Sequence, residues 1–288
     1  MKKSVFSFYN FPLFFAAASL LLFSASCEQD DDLNNNSLDV QAEEVASDEA
    51  LADDIFEDID AISLEAAAYT ENGRYLDEGG VTSASCVTRT VERSNTSGFE
   101  SKVTLKFADN CEGPNGRLRS GTVVVNRKID LNASTYTVST TFQDFYINGR
   151  KVEGSRTLVY TKSDDRLTTV TITLTGGKVT LPDGKVISRE GNFVRIIDRV
   201  SGEISLSGTA SGLNRNGVAY STTISSPLVY KGSCAAAGVF MAVSGSKTIS
   251  REGKADVTVS YGEGECDKTI TLSSDGREKT IEVTIKEN

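Results

Sequence analysis

The side chains that could do or support chemistry are four cysteines, Cys86, Cys111, Cys234 and Cys266, and a surplus of carboxylates. The cysteines are too widely spaced for a paired CxxC zinc site, and the sequence has no His to complete one. Absence of His also removes every Ser-His and Cys-His catalytic arrangement and every His-ligated metal. An even number of cysteines outside the cytoplasm points to two disulfides. Of the possible connectivities, proximity and a partial internal repeat favour Cys86–Cys111 and Cys234–Cys266.

Other signatures are weak. The sequence contains no GxSxG, no GxxxxGK[ST] and no GxGxxG after a strand. Ser244-Gly245-Ser246-Lys247 fits a Ser-x-x-Lys nucleophile pattern, but that pattern needs a helix, and here a β hairpin is expected. Glu263, Glu265 and Asp267 surround Cys266 and could offer oxygen ligands to calcium, although a charged turn explains them as well. Asp53, Asp54, Glu57, Asp58 and Asp60 fail the EF-hand spacing. Phe142, Phe145, Tyr146, Tyr160 and Phe193 could stack on a sugar, but the ordinary aromatic content and the lack of Trp favour core filling. No catalytic residue, metal or cofactor is expected.

The elements that must position these residues read plainly. Leu51, Ile55, Ile59 and Ile62 recur at helical steps, which predicts one amphipathic helix over about 41–68, ending near Asn72-Gly73, with Asp53, Asp54, Glu57 and Asp58 on its opposite face. From Val81 onward short alternating runs rich in Thr, Val and Ile follow one another, as half-buried strands do. Asn115-Gly116, Asn148-Gly149, Asp183-Gly184, Asn216-Gly217 and Asp275-Gly276 separate them and suit type I′ hairpins. The expected fold class is mainly β: an antiparallel β meander, as a sandwich or one long curled sheet, preceded by one acidic amphipathic helix. The segment 103–111 matches 257–266 in pattern, each ending at a cysteine and followed by a turn, Arg and a closing strand.

Charge is divided unevenly along the chain. Residues 28–78 hold 18 Asp and Glu against Arg74 alone, whereas residues 79–288 hold 27 Lys and Arg against 22 Asp and Glu. The acidic segment reads first as a solvated spacer, and second as a segment that folds back on the basic domain. No basic block occurs, so nucleic acid is not an expected partner.

The N-terminus carries an address. Met1-Lys2-Lys3 is followed by an apolar stretch over residues 11–23, interrupted by Pro12 and shorter than the ~20 residues that span a bilayer. Ser24-Ala25-Ser26-Cys27 then resembles the lipobox of bacterial lipoproteins, with Ser24 where the usual pattern has Leu. That resemblance implies cleavage before Cys27 and acylation of its thiol, so that outer-membrane lipid is a partner through Cys27. Glu28-Gln29-Asp30-Asp31-Asp32 resembles the surface-export signal of Bacteroidetes lipoproteins. The expected organisation is a signal peptide over 1–26, an acidic tether over 27–40, an acidic helical segment over 41–78 and a β domain over 79–288.

Within the β domain, several segments are similar to a group of uncharacterised Bacteroidetes lipoproteins. They are Phe107 to Cys111 with the following Gly116-Arg117-Leu118-Arg119-Ser120-Gly121, Asp144 to Gly154, Leu181-Pro182-Asp183-Gly184-Lys185, Gly208 to Tyr220 and Tyr261 to Asp267. The resemblance covers about residues 85–288 and implies no activity and no functional residue. The expected function is therefore a lipid-anchored envelope protein, a non-enzymatic binding, adhesion or structural module with a glycan or protein ligand. The alternatives are a hydrolase of envelope or extracellular polymer working through paired carboxylates, and an accessory subunit of an outer-membrane assembly.

Overall fold

Seven alanines and no Gly or Pro between residues 40 and 67 favour helix, and the computed structural model forms α1 (Val40–Ala67) there. The model describes Leu38 and residues 40–68, 84–93, 99–113, 116–162, 165–236, 239 and 241–282. Cys27 and the Asn72-Gly73 stop signal lie outside the described residues. The helix has 28 residues and is about 42 Å long.

Strands follow in chain order: β1 (Val87–Arg93), β2 (Glu100–Glu112), β3 (Leu118–Asp130), β4 (Thr135–Ile147), β5 (Arg150–Lys162), β6 (Leu167–Thr180), β7 (Val186–Asp198), β8 (Glu203–Leu213) and β9 (Ala219–Lys231). A short α2 (Gly232–Ala236) precedes β10 (Ser244–Ser250), β11 (Val257–Glu263), β12 (Thr269–Ser274) and β13 (Arg277–Glu282). Each strand pairs antiparallel with the next, so one 13-stranded sheet runs from β1 to β13 without a crossover. Of the two architectures left open by the sequence, the protein takes the single curled sheet, and it does not close into a barrel.

The turns divide into two kinds. Asn148-Gly149 and Asp275-Gly276 have positive φ at both residues (47° and 73°, 51° and 72°), as type I′ requires. At Asp183-Gly184 and Asn216-Gly217 only the glycine is left-handed, at 84° and 77°. In the first of these the Gly184 N–H donates to the Leu181 carbonyl at 2.9 Å, and the Leu181 N–H to the Lys185 carbonyl at 2.8 Å. This is a type I turn with glycine in the bulge position, not the type I′ turn expected. Pro182 sets its first corner, because its ring fixes φ where a type I turn needs it. Asn214 does equivalent work in the other, where its Oδ1 accepts from the Asn216 and Val218 N–H groups.

The curl comes from bulges. Register slips occur between Ser120 and Thr122 on β3, between Glu153 and Ser155 on β5 and between Leu206 and Thr209 on β8. Gly121 sits at the first slip with φ 89°, where a Cβ would fall 1.8 Å from the Asp144 carbonyl oxygen, so backbone occupies the space a side chain would need.

Alternation sends one set of side chains to the concave side. Leu105, Phe107, Val123, Val125, Val138, Phe145, Leu158, Ile172 and Leu174 are buried there together with Ile55, Phe56, Ile59 and Ile62 of α1, so the helix lies in the hollow of the sheet. Leu38, Ala42 and Val45 at its start pack with Tyr220, Ile249, Val257 and Leu272. The convex side is mostly polar, with Val194 and Ile196 exposed among its hydroxyl side chains. One cross-strand row takes one residue from every strand: Glu92, Lys102, Asn126, Ser139, Thr157, Thr173, Asn192, Thr209, Thr223, Thr248, Thr258, Ser273 and Glu278.

Cys86 pairs with Cys111 and Cys234 with Cys266, at Cα separations of 5.5 and 5.1 Å. The first bridge ties the segment before β1 to the far end of β2, and the second ties α2 to the loop after β11. The two halves of the internal repeat do not correspond strand for strand. β2 turns directly into β3, whereas β12 stands between the second cysteine and the Asp275-Gly276 turn. The bridges close spans of 25 and 32 residues. Replacing either pair with serine should lower unfolding free energy by about 3.5 kcal/mol on the loop-entropy model. Urea denaturation of the two double-serine variants measures this, and unchanged midpoints would contradict it.

Candidate functional site

The inward positions of the sheet carry cations among the aliphatics. On β7 the concave-facing series is Ile187, Arg189, Gly191, Phe193, Arg195 and Ile197. Arg119 on β3, Arg156 on β5 and Lys247 on β10 occupy the same side. A charge at such a place is tolerable only when it is paired and hydrogen-bonded. α1 supplies the partners.

Arg119 is 0% exposed and clasps Asp58, with Nε to Oδ2 at 3.2 Å and Nη2 to Oδ1 at 2.7 Å. Arg156 clasps Asp60 in the same two-pronged way at 2.5 and 2.9 Å. Arg189 donates to Glu49 at 3.0 Å and lies 2.7 Å from Asp53, and Lys247 donates to the other oxygen of Asp53 at 2.7 Å. Arg195 donates to Glu57 at 2.6 Å, Arg117 to Asp54 at 2.5 Å and Lys279 to Glu43 at 2.8 Å. Arg215 binds the buried Asp48, and the Asn216 amide donates to Glu44. Every acid from Glu43 to Asp60 is thus engaged by a strand or turn of the β domain. Arg156 also lies 5.7 Å from the centre of the Phe56 ring, and Ser63 shares a 2.7 Å hydrogen bond with Thr140.

The acidic face of α1 is therefore not the solvated spacer face read from the sequence. It folds back onto the basic sheet. The physical reason is the placement of the arginines: a helix with a neutral polar face would leave those buried guanidinium groups without counter-charges.

Burial and the sheet cations pull on these acids in opposite directions, and at Glu57 burial outweighs the charge of Arg195 and pushes the carboxyl up. Burial alone would raise the Asp53 carboxyl, but the charges of Arg189 and Lys247 outweigh it and hold it below its ordinary value of 3.8. Burial would lower the Lys247 ammonium, and Asp53, Tyr261 and Glu49 together hold it above its ordinary 10.5. A depressed carboxyl contributes stability above its unfolded pKa and loses it as pH falls through the folded one. A raised lysine contributes stability below its unfolded pKa and loses it as pH rises through the folded one.

An open depression of about 490 Å³ lies at the strand ends where β1 to β4 meet, with residues of both faces of the sheet in its lining. It is lined by Glu92, Arg93, Glu100, Ser101, Lys102, Asn126, Arg127, Lys128, Thr137 and Ser139. Lys102 pairs with Glu92 at 3.3 Å and Lys128 with Glu100 at 3.2 Å. Arg127 also reaches the carbonyl of Ala67 at the end of α1. A smaller cavity of about 200 Å³ lies between the β10–β11 and β12–β13 turns, beside Arg251, Lys254, Asp275 and Arg277.

Residues singled out in the sequence fall as follows. Phe145 and Phe193 are buried, Phe142 stacks on Phe145 at 5.7 Å, and Phe142 and Tyr160 pack on the core; Tyr146 lies on the other face of β4. They form no platform. Glu263, Glu265 and Asp267 are exposed and do not converge, and no cluster of three or more metal-ligating side chains occurs among the described residues. The Asp267 carboxylate accepts from the Thr269 N–H and hydroxyl at 3.0 Å, which makes it a turn residue. Lys247 of the Ser-x-x-Lys segment is spent on Asp53. Sequence reasoning missed the inward cations, although their signal was present: Arg189 and Arg195 stand in phase with Ile187, Phe193 and Ile197. Compared with known proteins, the chain matches no family model, no curated protein and no solved structure.

Removing one partner of a buried pair leaves an uncompensated charge, so Asp58→Ala should cost about 3–5 kcal/mol. Replacing both partners with apolar residues, as in Asp58→Leu with Arg119→Met, should recover most of that loss in chemical denaturation. Stability should also fall on acidification below the carboxylate range and at strongly alkaline pH. An Asp53→Asn variant should show a shallower acid limb than the unaltered chain in denaturation midpoints against pH, and parallel curves would refute the assignment.

Proposed function

We propose that this chain is a lipid-anchored envelope protein, acylated at Cys27 and held in the outer membrane, with display at the cell surface favoured over the periplasmic leaflet. It acts there as a non-enzymatic binding, adhesion or structural module. One observation carries the functional half of this reading: eight of the helix acids between Glu43 and Asp60 are held by Lys or Arg of the β domain, in or beside a hollow that the helix itself fills. A two-carboxylate hydrolase needs instead a pair of acids facing its substrate. What the molecule presents outward is a mostly polar convex face.

One further feature supports the reading: the two disulfides suit an oxidising compartment.

Intact mass of the membrane-extracted protein tests the address. A mature chain beginning at Cys27 with a triacyl increment is expected, together with cleavage by protease added to whole cells. Cys27→Ser should release the protein from the membrane fraction. An unlipidated chain or an intracellular product would overturn the proposal.

A further inference from the structure

Among the described residues, three buried side-chain oxygens have no hydrogen-bond partner within the protein: Oε1 of Glu49, Oη of Tyr220 and Oγ1 of Thr222. Their residues are 0%, 4% and 2% exposed. A polar atom left so forfeits its hydration without return, and native interiors rarely tolerate it.

The three belong to one place. Tyr220 and Thr222 are successive inward residues of β9, and the register sets them beside Gly212 and Ala210 of β8. Glu49 arrives from α1. Its Oε2 accepts from Arg189 on β7 at 3.0 Å, and its Oε1 lies 3.7 Å from the Lys247 Nζ on β10. A carboxylate drawn between β7 and β10 lies over the two strands that separate them, β8 and β9. Burial and then the Glu49 charge push the Tyr220 phenol above its ordinary 10.0, as expected when the two are neighbours. Gly191 of β7, with Ala210 and Gly212 of β8, projects at most a methyl group into the space beneath.

The chemistry of these atoms selects the occupant. Glu49 Oε1 can only accept, whereas the two hydroxyls can donate or accept. The charges around them are already balanced, because Glu49 and Asp53 face Arg189 and Lys247. A cation would meet the Lys247 ammonium, and an anion would meet Oε1. A direct bond from Tyr220 to Oε1 would still leave Thr222 without a partner. A water molecule can donate to Oε1 and to one hydroxyl and accept from the other, and about three such bonds are usual for buried water.

We infer that one water molecule is built into the protein here, bridging α1 to β9 through Glu49, Tyr220 and Thr222. It adds a neutral tie between helix and sheet to the charged ones.

Two measurements on the full chain test this. Tyr220→Phe and Thr222→Val each remove one hydroxyl at nearly constant shape. Each should raise the unfolding constant in urea about fivefold. The double variant should fall well short of the about 25-fold rise of independent losses, because both changes act on the same water. Oxygen-17 relaxation dispersion counts the water molecules held inside the protein for longer than it takes to tumble. The double variant should hold about one molecule fewer than the unaltered chain. Single variants as stable as the unaltered chain would mean that the hydroxyls are orphaned, and a loss confined to Tyr220→Phe would mean a direct bond to Glu49. Either result, independent losses in the double variant or an unchanged water count would overturn the inference.

Discussion

The rest of the structure depends on the pairing of one acidic helix with the inward cations of the sheet. A curled sheet of this size has a hollow that must be filled, and here its filling is charged as well as apolar. Buried ion pairs are poor sources of net stability, because desolvation consumes most of the attraction. Their effect lies in the difference between right and wrong arrangements. Sliding α1 by one turn would set Asp58 against the wrong neighbours and leave Arg119 without its two-pronged partner. The aliphatic residues Ile55, Ile59 and Ile62 would tolerate such a slide far better. The apolar contacts drive the helix into the hollow, and the carboxylates select its register.

The same pairing decides which surface stays open. Because the helix fills the hollow, the convex face and the turns are what the sheet leaves to solvent. Two kinds of surface therefore share one sheet through the alternation of its side chains: an inner one of Val, Leu, Ile and Arg, and an outer one of Thr, Ser, Asn and Lys. Bulges at Gly121 and on β5 and β8 bend the sheet enough to wrap the helix while leaving the outer rows in lateral register.

Much of this was legible in the sequence, and what was not has physical causes. The helix was legible because Leu51, Ile55, Ile59 and Ile62 keep a helical step, and its expected span over 41–68 differs from Val40–Ala67 by one residue at each end. The hairpins were legible from Asn-Gly and Asp-Gly pairs, and so was the type I′ form at Asn148-Gly149 and Asp275-Gly276, but not the type at Asp183-Gly184 and Asn216-Gly217. Pro182 and Asn214 shift two of them to type I turns through residues that precede the pair. The partner of the acidic face was not legible from helix periodicity, which reports only which residues share a side. It required reading Arg189 and Arg195 as inward residues of a strand. The convex row could not be read at all before the register was known, because its members are separated in the sequence by whole hairpins.

Strand order has a consequence for how such a chain is made. Synthesis delivers α1 before any of its partners, and those partners lie on β3, β5, β7, β10 and β13. Strand pairing proceeds between neighbours and can advance along the sheet as each hairpin appears. The helix acids must wait in water until distant strands arrive. An acidic segment waits well: it stays hydrated, repels copies of itself, and resists the premature collapse that a purely apolar helix of the same length would suffer. The charges that fix the helix in the finished protein thus also keep the unfinished one soluble.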